Sequence, residues 1–370
     1  MARRVLLSTR DPGGAGHVVV LLEALRARGG CEVLAVASGV ALRLLREAGE
    51  SPRAFALPDG RDCIQAGESA APLLSAARAV LDELAPDAVV TSASSYGVGV
   101  DEALVAEAGV PTFTIQDFWG DVNLGLERPP RLYFVMDDYA VTLTRERWGL
   151  PAMAVGSPKH GRYARLDVAG LREATRARHG IGPGQPVVGF FGQAPDIPGH
   201  EAAYEALLHA VAGLSPRPRF VLKDHPKFSE GHVAHARAAR AHGLDVIDAS
   251  DALQVEPWLA ACDVVVTPFS LSALDHAYLS AFSPAPIGST LYLLPNPDLQ
   301  ASMDRMCGMP EFPTVARGLG HVARDPARIG PLLASALRPG GAAAYFEASQ
   351  ALRGETTCDR MMDEILRGGA

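Results

Sequence analysis

The loop Lys223-Asp-His-Pro-Lys227 contains residue types that can bind a phosphate group. It follows the segment 219–222, which is apolar after Arg219 and predicts a strand. Pro226 rigidifies the turn and favours an extended conformation at His225. An imidazole N–H held in this way can donate to a phosphate oxygen, and Lys223 adds positive charge beside it. The alternative is an ordinary basic loop, but the position directly after a strand favours the phosphate site.

A second loop, 268–276, could complete such a site with hydroxyl groups. Ser270 and Ser272 open a predicted helix, where serine is a common N-cap. Their hydroxyls could also bind phosphate together with the first-turn N–H groups, and one serine can cap while the other binds. Asp275 is either a polar ligand contact or a surface-facing residue. Gln193 follows another predicted strand and could equally belong to a plain turn.

The first predicted strand is followed by a glycine-rich loop, 11–16. Gly13 and Gly14 would let the backbone approach a ligand, and the next helix offers free N–H groups and the positive end of its dipole. The loop is neither a GxGxxG sequence nor a P-loop. His17, at the start of the helix, could act as a base or contact a sugar. A glycine-rich turn without a ligand, and a histidine without a catalytic role, are the alternatives.

The loop 116–121 combines two carboxylates, an amide and two aromatic rings after a predicted strand, 112–115. Aromatic faces stack on sugar or base rings, and a carboxylate can deprotonate a hydroxyl. Asp117 follows the strand most closely and is our first choice for a general base, with Asp121 as the alternate. The other interpretation is a solvated loop whose aromatic side chains pack under the sheet edge.

The elements that must position these loops are short strands alternating with amphipathic helices. Runs such as 5–7 and 88–90 are apolar throughout, as expected for strands buried on both faces of a parallel sheet. The pattern restarts after a segment rich in Gly and Pro, 180–186. Ligands of open α/β sheets bind at the carboxyl ends of strands, so the two halves could face one another across a cleft. We predict an N-terminal domain 1–157, a linker 158–186, a C-terminal domain 187–340 and a helical tail 341–370.

Composition and charge limit the class of protein. A chain of 370 residues indicates two to three domains at about 150 residues each. The net charge of −8 shows no basic excess, which argues against a nucleic-acid-binding surface. The five cysteines lack CxxC or zinc-ligand spacing, which predicts reduced thiols in a cytoplasmic protein without a metal site. No apolar run reaches the roughly 20 residues that span a bilayer.

These loops together resemble those of GT-B-fold glycosyltransferases. Asp224-His-Pro followed by Ser270 and Ser272 resembles the HP and Ser/Thr motifs of bacterial capsule and sialic-acid-type transferases, and CDP-glycerol polymer transferases have a related layout. The resemblance implies two Rossmann-like, doubly wound α/β domains that face across a cleft, with C-terminal helices returning to the N-terminal domain. It also implies that His225, Ser270 and Ser272 hold the phosphate of a UDP-, CDP- or CMP-linked donor.

Two departures limit the resemblance. The acidic Asp/Glu-Asp-Gly motif of sialyltransferases is absent, so the choice of Asp117 as base depends on loop position alone. Non-hydrolysing UDP-N-acetylglucosamine 2-epimerases share the fold, and Val155-Gly-Ser-Pro stands in the place of one of their segments. Their His-Arg-x-Glu continuation is replaced by Lys159-His-Gly-Arg, which argues against an epimerase.

The leading prediction is a metal-independent glycosyltransferase that moves a sugar from a nucleotide-activated donor to a small-molecule or glycan acceptor. A UDP-sugar 2-epimerase or hydrolase of the same fold and a non-catalytic nucleotide-sugar-binding protein are the alternatives, and a homodimer remains open. No cofactor beyond the donor, no nucleic acid and no transmembrane segment are expected. The catalytic candidates are Asp117, Asp121 and His17, and the donor-binding candidates are His225, Ser270, Ser272, Lys223, Gln193, Gly13, Gly14 and Asp275.

Overall fold

The structure, a computed structural model, describes residues 2–57, 59–94, 97–193, 197–224, 231–309 and 311–367, without the side chains of 231, 232, 306 and 307. The chain divides into two compact units. Unit 1 comprises Met1–Arg162 and Glu355–Ala370, and unit 2 comprises Tyr163–Gly354. No helix of the described part combines the length and the apolar character needed to cross a membrane.

Unit 1 is built on parallel strands with helices between them. The strands of its main sheet are β1 (Arg3–Thr9), β2 (Cys31–Ala37), β3 (Arg53–Ala54), β5 (Ala88–Ser92), β7 (Thr112–Ile115), β8 (Leu132–Val135) and β9 (Ala152–Ala154). They form one parallel seven-stranded sheet in the order β3-β2-β1-β5-β7-β8-β9. A separate antiparallel pair joins β4 (Cys63–Ile64) and β6 (Val98–Gly99). The helices are α1 (Pro12–Arg28), α2 (Gly39–Glu47), α3 (Ala71–Leu84), α4 (Val100–Glu107), α5 (Asp138–Trp148) and α15 (Asp359–Arg367).

Both faces of this sheet are covered, which explains its uniformly apolar strands. Val5 and Leu7 pack on one face with α1, and Leu6 packs on the other face with α3 and α4. Met361 and Ile365 of α15 complete the first of these clusters. The end of the chain therefore returns to the N-terminal unit, as the resemblance implied.

Unit 2 repeats the arrangement. Its strands are β10 (Val187–Phe191), β11 (Arg219–Lys223), β12 (Val246–Asp248), β13 (Val264–Thr267), β14 (Ser289–Leu293) and β15 (His321–Ala323). They form a parallel sheet in the order β12-β11-β10-β13-β14-β15. The helices are α6 (Val168–Arg178), α7 (His200–Ala212), α8 (Gly231–Ala241), α9 (Glu256–Ala261), α10 (Ser272–Phe282), α11 (Pro297–Cys307), α12 (Pro313–Ala316), α13 (Pro326–Ala336) and α14 (Ala343–Ser349). Two 3-10 helices, Pro158–Arg165 and Gln350–Gly354, lie near the unit boundaries.

The units differ in extent from the predicted domains. The expected linker contains a 3-10 helix and α6, and α6 packs against α9 inside unit 2. Arg172 Nη1 donates to the carbonyl of Ala260 at 2.7 Å, which fixes α6 to the residues before β13. The expected tail is also divided, since α14 packs on α10 in unit 2 while α15 belongs to unit 1.

Candidate functional site

In unit 1, the glycine-rich loop lies directly against Asp117. A Cβ at Gly13 would collide with the Asp117 carboxylate, and a Cβ at Gly14 would collide with the Ser92 hydroxyl. Neither glycine has a positive φ, so close approach is what favours glycine here, most clearly at Gly14, where the clash includes the Ser92 Cβ. The contact brings together loops that follow β1 and β7, and it places a carboxylate at the positive end of α1. The glycine-rich loop 11–16 and the acidic loop 116–121 therefore meet at the carboxyl ends of the strands.

Asp121 is half-buried and belongs to the same cluster of acids. Burial, together with the charges of Asp117 and Asp11, raises the pKa of Asp121 to about 8. Asp121 therefore carries a proton near neutral pH and can act as an acid or a hydrogen-bond donor. A carboxyl whose pKa is raised by its surroundings is a recurring general acid in enzymes.

The sequence did not single out the buried ion pair beneath these loops. Arg10 is 1% exposed; its Nη2 lies 3.4 Å from Glu102 Oε2 and 2.9 Å from the carbonyl of Gly97. Ser8 Oγ donates to Asp101 Oδ1 at 2.6 Å, and Asp101 Oδ2 accepts no hydrogen bond within the described residues. Burial, and then the charge of Glu102, raise the pKa of Asp101 to about 8. The available signal was a pair of adjacent acids in the first turn of α4, a helix otherwise rich in apolar residues.

The other candidate residues of unit 1, His17 and the two aromatic residues of the loop 116–121, are buried or half-buried. His17 lies on the buried side of α1 and is 1% exposed. Trp119 is buried, and its Nε1 donates to Asp137 Oδ2 at 3.0 Å, while Asp137 also caps α5. The expectation that this ring stacks on a sugar or base therefore does not suit Trp119, whose surface is already covered by protein. Phe118, half-buried, packs edge-on against Trp119 at 5.7 Å between ring centroids.

In unit 2, Lys223 is buried and already bonded. Its Nζ donates to the carbonyl of Ala252 at 2.6 Å and to that of Ala249 at 3.4 Å. Burial lowers the pKa of Lys223. Residues 225–230 lie outside the described part of the chain, so the structure gives no position for His225.

The predicted serines lie next to each other at the carboxyl end of β13. Ser270 Oγ donates to Ser272 Oγ at 3.2 Å and accepts from the Ser272 amide at 3.3 Å. Leu271, the residue before α10, has helical backbone angles and provides no side-chain bond. The Ser270 hydroxyl therefore provides the capping bond one residue earlier, through the Ser272 amide. Asp275 is half-buried in the first turn of the same helix.

A cluster of histidine and carboxylate side chains, which the sequence did not indicate, lies at the ends of β10 and β11. His235 Nδ1 lies 2.7 Å from Asp224 Oδ2, and its Nε2 lies 3.0 Å from Glu201 Oε1. Burial alone would lower the pKa of His235, but its bonds to Asp224 and Glu201 raise it to about 9. The Gln193 amide donates to His200 Nε2 at 3.3 Å, and burial lowers the pKa of His200. His200 and Glu201 begin α7 directly after a strand-end loop, which was the only sequence signal available.

Comparison with known proteins finds structural relatives only. No family model and no curated protein matches the sequence. The structure of S. aureus MnaA with UDP matches at a TM-score of 0.70 and 12% identity, covering 98% of this chain and 96% of that one. A putative UDP-N-acetylglucosamine 2-epimerase from Listeria monocytogenes matches at 0.71 and 11%, covering 99% and 96%. Acinetobacter baumannii MurG matches at 0.57 and 13%, covering 99% of each chain.

The chain has the GT-B fold. Each GT-B sheet collects candidate residues at the carboxyl ends of its strands, where open α/β sheets bind ligands. The edge of unit 1 holds Gly13, Gly14, Asp117 and Asp121. The edge of unit 2 holds Gln193, Lys223, Ser270, Ser272 and Asp275.

Proposed function

We propose that this protein is an enzyme of nucleotide-activated sugars and that it transfers the sugar to a small-molecule or glycan acceptor. The observation that carries the proposal is the contact of Asp117 with the glycine-rich turn of α1, beside Asp121, whose pKa is raised by burial and by neighbouring carboxylates. A GT-B fold shared with a UDP-bound protein and with a putative UDP-N-acetylglucosamine 2-epimerase supports the same class of substrate. The Asp224-His-Pro sequence followed by Ser270 and Ser272 supports a relation to bacterial capsule and sialic-acid-type transferases.

Unit 2 supplies the donor side in this proposal. The nucleoside phosphate gains negative charge as its bond to the sugar breaks, and fixed hydrogen-bond donors stabilise that charge without a metal. We assign this role to His225, to the adjacent hydroxyls of Ser270 and Ser272, and to the first-turn amides of α10. Lys223 contributes its charge from a distance, because its ammonium is bonded to backbone carbonyls.

Unit 1 supplies the acceptor side. Asp117 takes the proton of the acceptor hydroxyl while the acceptor oxygen forms its bond to the anomeric carbon. The bond from that carbon to the phosphate oxygen breaks, and its electron pair leaves with the nucleotide. Asp121, protonated near neutral pH, is better suited to donate a hydrogen bond to the sugar or acceptor than to remove a proton. His17 is the remaining candidate base, and its burial makes it the weaker choice.

A 2-epimerase is the second candidate. Inverting one carbon centre requires removal and return of a proton, and the pair of Asp117 and Asp121 offers a base and an acid. The likeness to the putative L. monocytogenes 2-epimerase favours this candidate, whereas Lys159-His-Gly-Arg in place of the His-Arg-x-Glu sequence disfavours it.

The test is a reaction followed by NMR with UDP-, CDP- and CMP-sugars, each with and without a mixture of acceptors. Transfer predicts that free nucleotide accumulates only when an acceptor is present. An epimeric nucleotide sugar in the donor-only reaction would instead establish the second candidate. Nucleotide binding without any turnover would identify a non-catalytic binding protein and refute both.

A substitution at His225 tests the proposed binding of the donor phosphate. His225→Ala should lower turnover by about tenfold or more, because it removes one donor to the developing phosphate charge. His242→Ala is the matched control, since this histidine belongs to a pair with Glu205 away from the strand ends. Unchanged kinetics in His225→Ala would refute the phosphate role.

A further inference from the structure

The histidine cluster of unit 2 has no part in the proposed transfer, yet its side chains converge on one point. We propose that His200, Glu201 and His235 form a binding site for a divalent cation of the zinc class, with a water molecule as the fourth ligand. One ligand atom from each residue lies within 4.8 Å of the other two. The site departs from the expectation, based on cysteine and histidine spacing, that the protein binds no metal.

The distances suit tetrahedral coordination. Zinc–nitrogen and zinc–oxygen bonds of about 2.0–2.1 Å place neighbouring ligand atoms about 3.3–3.4 Å apart. Glu201 Oε1 lies 3.0 Å from His235 Nε2 and 3.4 Å from His200 Nδ1. Two of the three ligand–ligand distances therefore lie within a few tenths of an ångström of the value that zinc requires.

Asp224 holds His235 in the orientation that a metal ligand needs. Its Oδ2 lies 2.7 Å from His235 Nδ1, which leaves Nε2 to face the cation. Carboxylates commonly orient metal-binding histidines in this manner and tune their affinity. The Asp224 amide donates to Ser250 Oγ at 3.1 Å, and the His235 carbonyl accepts from the Tyr204 hydroxyl at 3.0 Å. Both partners are thus fixed before a cation arrives.

The choice of zinc over magnesium follows from the ligand atoms. Two imidazoles and one carboxylate favour zinc and its transition-metal neighbours, whereas magnesium prefers oxygen ligands. The Glu201 side chain is 61% exposed, so a cation can enter from solvent and keep an open fourth position. The cation replaces the protons that the two histidines share with Glu201.

Binding carries one structural cost. His200 would coordinate through Nδ1, so its Nε2 would hold the proton and could no longer accept the hydrogen bond from the Gln193 amide. That bond is long, at 3.3 Å, and its loss is small beside the formation of three metal–ligand bonds. Zinc binding should therefore alter the backbone at Gln193.

The experiment is calorimetric titration of ZnCl₂ into full-length protein that has been stripped with EDTA and dialysed. We expect one site per chain. His200→Gln, His235→Gln and Glu201→Gln should each weaken it at least tenfold, and Asp224→Asn should weaken it about 10- to 100-fold. Glu201→Gln keeps the test valid if a buried histidine variant fails to fold, because this side chain is mostly exposed.

A histidine–glutamate pair next to the cluster, with one residue on α7 and one just after α8, provides a matched control. Glu205 Oε1 on α7 lies 2.6 Å from Nε2 of His242, just after α8, but this pair lies outside the three-residue cluster. Glu205→Gln and His242→Gln should leave zinc affinity unchanged. Cobalt substitution should give the visible spectrum of a tetrahedral site without a cobalt–thiolate band. No binding to the wild-type protein, equal losses in the control variants, or a thiolate band would each overturn the proposal.

Discussion

The sheets of both units collect polar side chains at the carboxyl ends of their strands, but they neutralise buried charge in different ways. In unit 1, Arg10 is paired with Glu102, while the pKa values of Asp101 and Asp121 rise to about 8. These two carboxyls are therefore neutral at pH 7. In unit 2, Asp224 is instead paired with His235, whose pKa rises to about 9.

The two ways of neutralising charge suit the two units to different chemistry. A general acid or base works best when its pKa lies near the operating pH, and the carboxyl cluster of unit 1 meets that condition. In the cluster of unit 2, His235 is held between the carboxylates of Asp224 and Glu201, which suits the binding of a cation more than the movement of protons. Proton transfer is thus expected in unit 1 and charge recognition in unit 2.

The largest expected effect is on turnover. Asp117→Asn should lower the rate about 10²- to 10⁴-fold, because an amide cannot take the acceptor proton. Nucleotide affinity should stay the same, since the hydroxyls to which we assign the nucleoside phosphate, those of Ser270 and Ser272, lie in unit 2. Initial rates by NMR and nucleotide titration by calorimetry measure the two quantities separately.

The control for this variant is Asp138→Asn, an exposed acid at the start of α5. It should leave both quantities unchanged. If Asp117→Asn weakened nucleotide binding as much as turnover, the division of roles between the units would be wrong.

The sequence was sufficient to predict the architecture and the loops that carry candidate residues. The strands predicted at 112–115 and 219–222 are found as β7 (Thr112–Ile115) and β11 (Arg219–Lys223), because runs of apolar residues are local signals. The return of α15 to unit 1 was implied by the resemblance and is confirmed by the packing of Met361 and Ile365. The meeting of Gly13 with Asp117 follows from parallel strands whose carboxyl ends share an edge.

The buried networks could not be predicted, because their partners are far apart in sequence. Ser8 and Asp101 are separated by 93 positions, and Glu201 and His235 by 34. No short motif indicates which acids will be buried together. Trp119 likewise donates to Asp137, the N-cap residue of α5, which lies 18 positions further along the chain. The aromatic residues of the loop therefore suggested a stacking surface that the buried Trp119 does not provide.

The next effect is on stability. Arg10→Met should lower the free energy of unfolding by about 3–5 kcal/mol, because it leaves the buried Glu102 without its cation. Urea unfolding measures this change. In a Trp258→Phe background the remaining tryptophans, Trp119 and Trp148, both lie in unit 1, so fluorescence reports that unit alone.

Arg4→Met is the control, since Arg4 pairs with Glu32 at 3.0 Å on the surface. Its loss should cost about 0–1 kcal/mol. A similar cost for both variants would mean that Glu102 is protonated and that Arg10 compensates no charge.

A smaller effect depends on pH. The pKa of Asp101 rises from its ordinary 3.8 to about 8 on folding, so the folded chain binds more protons between these values. This contribution to stability is complete below about pH 4 and is lost as the pH rises through 8. Between pH 6 and 8 the wild type should therefore lose about 2 kcal/mol through this group.

Asp101→Asn should remove that part of the pH dependence, because an amide does not titrate. The variant keeps the part that belongs to Asp121, so its profile should become shallower without becoming flat. Urea unfolding of unit 1 at several pH values provides the comparison. A variant with the slope of the wild type would show that Asp101 is ionised in the folded protein.

The smallest expected effect is in unit 2. Lys223→Met removes a buried cation at a strand end, as Arg10→Met does in unit 1, but the hydrogen bonds lost are to the neutral carbonyls of Ala252 and Ala249. It should cost about 1.5 kcal/mol, the lower end of the range for a hydrogen bond that involves a charged group. Urea unfolding of a Trp119→Phe, Trp148→Phe background, in which Trp258 reports unit 2, measures the loss. A cost as large as that of Arg10→Met would show that Lys223 compensates buried carboxylates. Both units would then neutralise buried carboxylates with a buried cation at the carboxyl ends of their strands.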